Sequence, residues 1–118
     1  MKIELSRFRV RDGKSEVVDM WMNFLNEYME DVLLTLDREK MYVETIFREK
    51  SDNAEYLYWY SIQGENGINV EDSNSWIDKK HLEYWDECIG KNYHVDMSMQ
   101  VSMIPHHIAK LMTDNTKA

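Results

Sequence analysis

The chain has one cysteine, one proline and four glycines in 118 residues, and no apolar run approaches the roughly 20 residues that span a bilayer. The lone Cys88 has no partner for an intramolecular disulfide, whereas a small secreted domain usually carries several. The N-terminus, Met1-Lys2-Ile3-Glu4-Leu5, alternates charge with apolar residues and lacks the core of a signal peptide. A cytoplasmic location is the expectation. Positive charge is also scarce, with 14 Lys and Arg against 22 Asp and Glu, for a net charge of −8. Phosphate backbones and anionic lipid heads are repelled by such a balance unless a basic patch intervenes. The nearest thing to one, Arg7, Arg9 and Arg11, only alternates along a strand, so neither nucleic acid nor membrane is expected as a partner. There is no internal repeat and no low-complexity segment.

What is present is apolar: 43% of the chain is hydrophobic and 12% aromatic, enough for one folded domain and too short for two. Residues 2–10 alternate as a strand, with Ile3 and Leu5 on one side and Phe8 and Val10 on the other. Asp12-Gly13 turns the chain. From Lys14 to about Leu36, after Ser15 as N-cap, Val17, Trp21, Phe24, Leu25, Tyr28, Val32 and Leu36 recur at helical spacing and predict one long helix. Asp37-Arg38-Glu39-Lys40 then reads as a charged link. Residues 41–48 and 55–63 are two strands joined by the turn chemistry of Ser51-Asp52-Asn53, hence an antiparallel hairpin. The first of these places Met41, Val43, Thr45 and Phe47 on one face and Tyr42, Glu44, Ile46 and Arg48 on the other.

Asp72, Ser73 or Ser75 caps a second helix from Trp76 to Ile89, closed by Gly90 in a left-handed position. Its inner stripe is Ile77, His81, Tyr84, Trp85 and Cys88. A last strand over 93–103 turns Val95, Met97, Met99, Val101 and Met103 inward, and Pro105 opens a short helix through about Met112, with a flexible tail over 113–118. The order βαββαβ plus a terminal helix is the split βαβ, ferredoxin-like arrangement: an α+β domain over residues 1–112 with a four-stranded antiparallel sheet and helices on one face. Because the strands keep apolar residues on both faces, a second copy is the expected cover, and a homodimer follows.

Three stretches together resemble an uncharacterised family of small bacterial proteins in the dimeric α+β barrel superfamily. They are the opening strand with its Gly13 turn into a long helix, Val43-Glu44-Thr45-Ile46-Phe47 with Tyr56-Leu57-Tyr58-Trp59-Tyr60, and His81-Leu82-Glu83-Tyr84-Trp85-Asp86-Glu87-Cys88. The resemblance spans residues 3–103 and implies the fold. The wider superfamily includes cofactor-free monooxygenases, haem-degrading monooxygenases, sugar mutarotases and stress-response barrels, so it implies no single activity. Glu44, Trp59 and His81 are its family-like positions.

Among the polar side chains, His81 on the inner stripe can serve as general acid, base or ligand, or be a core histidine satisfied by one hydrogen bond. Glu44, mid-strand, either exchanges protons with His81 or pairs with Arg7 or Arg48. Trp21, Trp59 and Trp85 are candidate walls for a flat organic ligand, or ordinary core. The reading is a small-molecule-binding protein with His81 and Glu44 as catalytic candidates, of monooxygenase or isomerase and mutarotase type. The alternative is a non-catalytic homodimeric binding or assembly module. No cofactor and no metal is called for; the haem variant would ligate through His81 and show a Soret band. His94 with Asp96, and His106-His107, are poor metal sites alone. Cys88 at a helix C-terminus is an inert core thiol.

Overall fold

The structure, a computed structural model, describes residues 1–115. Four strands, β1 (Lys2–Val10), β2 (Met41–Lys50), β3 (Glu55–Gln63) and β4 (Ile89–Asp96), form one sheet in the order β2-β3-β1-β4, every neighbour antiparallel. The helices are α1 (Ser15–Glu27), α2 (Met29–Glu39), α3 (Trp76–Cys88) and α4 (His106–Asn115). This is the ferredoxin-like α+β arrangement that the alternation predicts. The β2–β3 hairpin closes at Ser51, whose N–H donates to the Ala54 carbonyl at 2.8 Å while its Oγ accepts from the Ala54 N–H at 3.2 Å. Gly13 takes φ +80° at the first turn, a conformation that costs glycine little. The core lies between sheet and helices, on Val10, Val18, Trp21, Leu57, Cys88 and Ile89. Full burial of an aliphatic side chain such as Leu57 contributes about 1.5–3 kcal/mol. No helix among the described residues is long and apolar enough to cross a membrane.

Three local features depart from the sequence reading, and two of them build the site. The single long helix is two, broken at Tyr28 (φ −102°, ψ 32°). No glycine or proline marks the break. Instead Asn26 Nδ2 donates back to the Met22 carbonyl at 2.9 Å, and the Tyr28 ring lodges edge-on against Trp76, 5.1 Å between centroids. The second helix runs on through the expected charged link to Glu39, where Lys40 closes it in the left-handed region (φ 56°). Ser15 is the first helical residue rather than the cap; its Oγ accepts from Arg48, which also pairs with Asp19 and Glu55.

In β2, Met41 pairs with Gln63 and Val43 with Ile62, so Tyr42 is an extra, bulged residue. The bulge turns Met41 to the helix face with Glu44, away from Val43.

The third departure is at the C-terminal end. β4 starts at Ile89, directly after α3, and Gly90 is strand rather than a left-handed cap. Phe8 opposes His94 and stacks on it at 4.6 Å, which sets His94 on the helix side and Val95 on the other. The strand ends at Asp96, and the row Met97, Met99, Val101 and Met103 lies outside the sheet and exposed, Val101 at 69% and Met103 at 85%. Pro105 precedes α4 and accepts from the Ile108 and Ala109 N–H groups, both at 3.0 Å. The last helix continues to Asn115, so part of the expected tail is helical, while residues 116–118 lie outside the described residues.

Candidate active site

Between α2, α3 and the helix-facing side of β2 and β3 lies a cavity of about 880 Å³, open on one side. Its floor comes from alternate strand residues, which one face of a pleat must present together: Glu44 and Ile46 on β2, Trp59, Ser61 and Gln63 on β3. Its roof comes from one stripe of each helix, Leu36 and Glu39 on α2, then Ile77, Asp78, His81 and Trp85 on α3. Glycine closes the rim: a Cβ on Gly67 would fall on the Glu39 carbonyl, and the next residue, Ile68, donates its N–H to the Arg38 carbonyl at 3.1 Å. Gln63 Nε2 fixes the same end of α2 by donating to the Glu39 carbonyl at 2.9 Å.

His81 and Glu44, the two catalytic candidates of the sequence reading, both line this cavity. His81 sits among three indoles, with ring centroids 5.5 Å from Trp21, 5.7 Å from Trp59 and 6.4 Å from Trp85. Its Nδ1 accepts a hydrogen bond from the Trp21 indole N–H at 3.0 Å. A nitrogen that accepts carries no proton, so neutral His81 holds its hydrogen on Nε2. Burial holds the imidazole down to about 4, against a weaker upward pull from Asp78, and the ring is neutral at pH 7. One half of the histidine is thus satisfied inside the core while the residue still borders the cavity.

Glu44 is pushed above the usual carboxylate range, first by burial and then by Asp78, and hydrogen bonding from the Trp59 side chain offsets part of this. The ion pair with Arg7 or Arg48 does not form: Arg48 is committed to Asp19 (2.5 Å) and Glu55 (2.6 Å), and Arg7 lies on the other face, over the Tyr56 and Tyr93 rings. Of the three tryptophans expected as walls, Trp59 and Trp85 border the cavity, 5.0 Å apart edge to face. Trp21 does not reach it; fully buried behind His81, it positions the imidazole instead.

Two carboxyls escaped the sequence reading. Glu39, 8% exposed, is pushed up to about 7 by burial and by the negative charges of Glu44, Asp78 and Glu71. Asp78 is 5% exposed on the same face of α3 as His81. The signal was available as spacing: Val32, Leu36 and Glu39 recur at 4 and 3 residues, and Asp78 stands 3 residues before His81 in the stripe of Ile77, His81 and Trp85. An acid inside an apolar helical stripe marks a cavity as readily as a link. Elsewhere, His94 Nε2 lies 2.6 Å from Asp96 on the exposed edge, and no group of three or more His, Cys, Asp or Glu suited to a metal occurs among the described residues. Cys88 is buried, which raises its thiol pKa.

The fold is similar to that of the L-rhamnose mutarotase of Formosa agariphila, whose crystal structure matches with a TM-score of 0.59 at 11% identity, over 88% of this chain and 100% of that one. No curated protein sequence matches the chain. Residues 1–110 match the family of unknown function DUF6176, and the chain belongs to that family.

Proposed function

We propose that the cavity is a substrate site in which Glu44 moves a proton on a small cyclic organic molecule while His81 donates a hydrogen bond to it, in an isomerase of the mutarotase type that needs no cofactor. Interconversion of sugar anomers requires loss of the anomeric O–H proton, cleavage of the bond between C1 and the ring oxygen, and a proton for that oxygen. Glu44, its proton affinity raised by burial, takes the anomeric proton. The C1–O bond breaks as C1=O forms, and Glu44 passes that same proton to the ring oxygen, which the Nε2–H of His81 holds by a hydrogen bond without giving up its proton; after C1 presents its other face the same steps run in reverse. Protons and electrons balance over the cycle. Trp59 and Trp85 give the flat wall on which a ring packs.

The observation that carries this reading is the Trp21–His81 hydrogen bond. It sets the histidine as a donor in a cavity that also holds a carboxylate with no cationic partner among the described residues. The mutarotase of similar fold suggests the reaction class, and nothing about which residues perform it. The test is anomer exchange in a panel of aldoses, measured by saturation-transfer NMR with the wild type, His81→Ala and Glu44→Gln.

The same protein is proposed to act as a homodimer, with the second copy on the helix-free sheet face and the C-terminal arm. Phe47 on that face is 59% exposed, and at the opposite edge of the sheet, beyond the Met97 N–H that donates to the Leu5 carbonyl at 2.9 Å, the exposed apolar residues Met99, Val101 and Met103 follow β4. The arm also extends the molecule, to a radius of gyration of 15.3 Å where a compact chain of this length has about 13.5 Å.

A further inference from the structure

The proton transfer proposed above uses Glu44 and His81 and leaves Glu39 and Asp78 without a task. Both are more than nine-tenths buried, both line the cavity, and neither carboxyl has a hydrogen-bond or ion-pair partner among the described residues. The contacts that hold the end of α2 are made by backbone: Gln63 and the loop after it bind the Glu39 and Arg38 carbonyls. Glu71 and Asp86 extend the acidic lining, and among the described residues no Lys or Arg side chain borders the cavity. Lys40 and Lys79, the cations adjacent in sequence to Glu39 and Asp78, are not among the residues that line the cavity, and Lys80 pairs with Glu83 at 3.6 Å and lies over the Tyr84 ring.

Such a lining selects by charge. Phosphorylated or carboxylated ligands meet five carboxyls and no counter-charge. A hydroxyl offers one donor to a carboxylate, while an ammonium offers three donors and a positive charge. We infer that the substrate of this cavity carries a protonated amine, held by the carboxylates of Glu39 and Asp78, on a small cyclic body packed against Trp59 and Trp85. The inference rests on the reading of the cavity as a substrate site and adds the class of substrate. Among the described residues, the groups that line the cavity with Glu39 from the elements around it are acidic or neutral: Glu44 and Met41 from β2, Ser61 and Gln63 from β3, Glu71 from the turn at 70–72, Asp78 and His81 from α3, of which Glu44, Asp78 and Glu71 act on its charge. They hold Glu39 partly protonated near pH 7, so capture of an ammonium expels a proton.

The experiment is calorimetric titration of the full chain at pH 7 with four probes: glucosamine, glucose, glucuronate and cyclohexylammonium. Glucosamine is expected to bind at least tenfold more tightly than glucose, glucuronate not measurably, and cyclohexylammonium to compete with glucosamine. Titrations in two buffers of different ionisation enthalpy read a proton released on binding. Glu39→Gln and Asp78→Asn, both isosteric, each erase the preference for the amine, and Glu39→Gln erases the proton release, with cooperative thermal unfolding retained. Glu39→Asp keeps the charge and the preference, which separates loss of charge from loss of fold. Equal affinity for glucose and glucosamine overturns the amine site and leaves the proton-transfer reading intact. Binding of cyclohexylammonium without anomer exchange in any sugar supports the amine site and overturns the mutarotase reading. Failure of all four probes to bind overturns both.

Discussion

The indole N–H of Trp21 donates to Nδ1 of His81 across 3.0 Å, and Trp21 is itself fully buried under α3 and β3. A core residue therefore decides which nitrogen of a cavity residue carries the proton. Trp21→Phe removes the donor and leaves a small void. We expect a stability loss of about 2–3 kcal/mol, with the His81 ring passing to a mixture of tautomers. Long-range proton–nitrogen correlation of the imidazole reads the tautomer directly, and an unchanged spectrum in this variant contradicts the assignment.

His81 and Glu39 give stability opposite pH dependences. His81 is held near 4 in the fold against an ordinary 6.5, so the unfolded chain binds more protons between those values and stability falls as pH drops from 6.5 to 4. Glu39 is held near 7 against 4.5, so the folded chain binds more protons and stability falls as pH rises from 4.5 through 7. The wild type is expected to show a flattened profile between pH 4.5 and 6.5. Glu39→Gln removes one limb: the variant is more stable than wild type by about 1–2 kcal/mol above pH 7, allowing for solvent screening at the open side, and loses stability steeply below 6.5. Urea titrations at several pH values check this.

Glu44→Gln removes a buried charge with no cationic partner and is expected to raise stability by about 1 kcal/mol at neutral pH while abolishing proton transfer. A loss of stability would instead mark Glu44 as a structural hydrogen-bond acceptor for Trp59. Denaturant melts at pH 7 separate the two.

Gly67→Ala places a methyl group on the Glu39 carbonyl, where backbone must move. The expected cost is about 1–3 kcal/mol, accompanied by faster amide exchange at Ile68, whose N–H caps the end of α2 on the Arg38 carbonyl.

For the dimer, Met99→Asp with Val101→Asp puts charge on the exposed arm without touching the core. Sedimentation is expected to show twice the monomer mass for the wild type and the monomer for the double variant, with unchanged far-ultraviolet dichroism.

Much of this architecture was legible in the chain. Strict alternation in 55–63 places Leu57, Trp59 and Ser61 on the helix side, and the stripe Ile77, His81, Trp85, Cys88 faces them, so the His81–Trp59 encounter follows from two periodicities. What local pattern does not carry is long-range packing. The break at Tyr28 depends on Trp76, 48 residues away; the bulge at Tyr42 depends on pairing with β3; the sidedness of Val95 depends on Phe8 opposing His94. The methionine row after Asp96 alternates as cleanly as any strand, yet alternation says nothing about which surface supplies the partner. Glu39 was misplaced because it and its three charged neighbours, Asp37, Arg38 and Lys40, look like a linker, while its environment is set by residues from three other elements.

The central claim is that Glu44 exchanges a proton with a cyclic substrate in the cavity while His81 holds that substrate's oxygen by a hydrogen bond. Saturation-transfer NMR of anomer exchange, across neutral and amino aldoses, tests it most directly. The account predicts exchange accelerated over buffer by the wild type and reduced at least a hundredfold in both His81→Ala and Glu44→Gln, with folding retained. Exchange no faster than buffer for every sugar, or variants as active as the wild type, contradicts it.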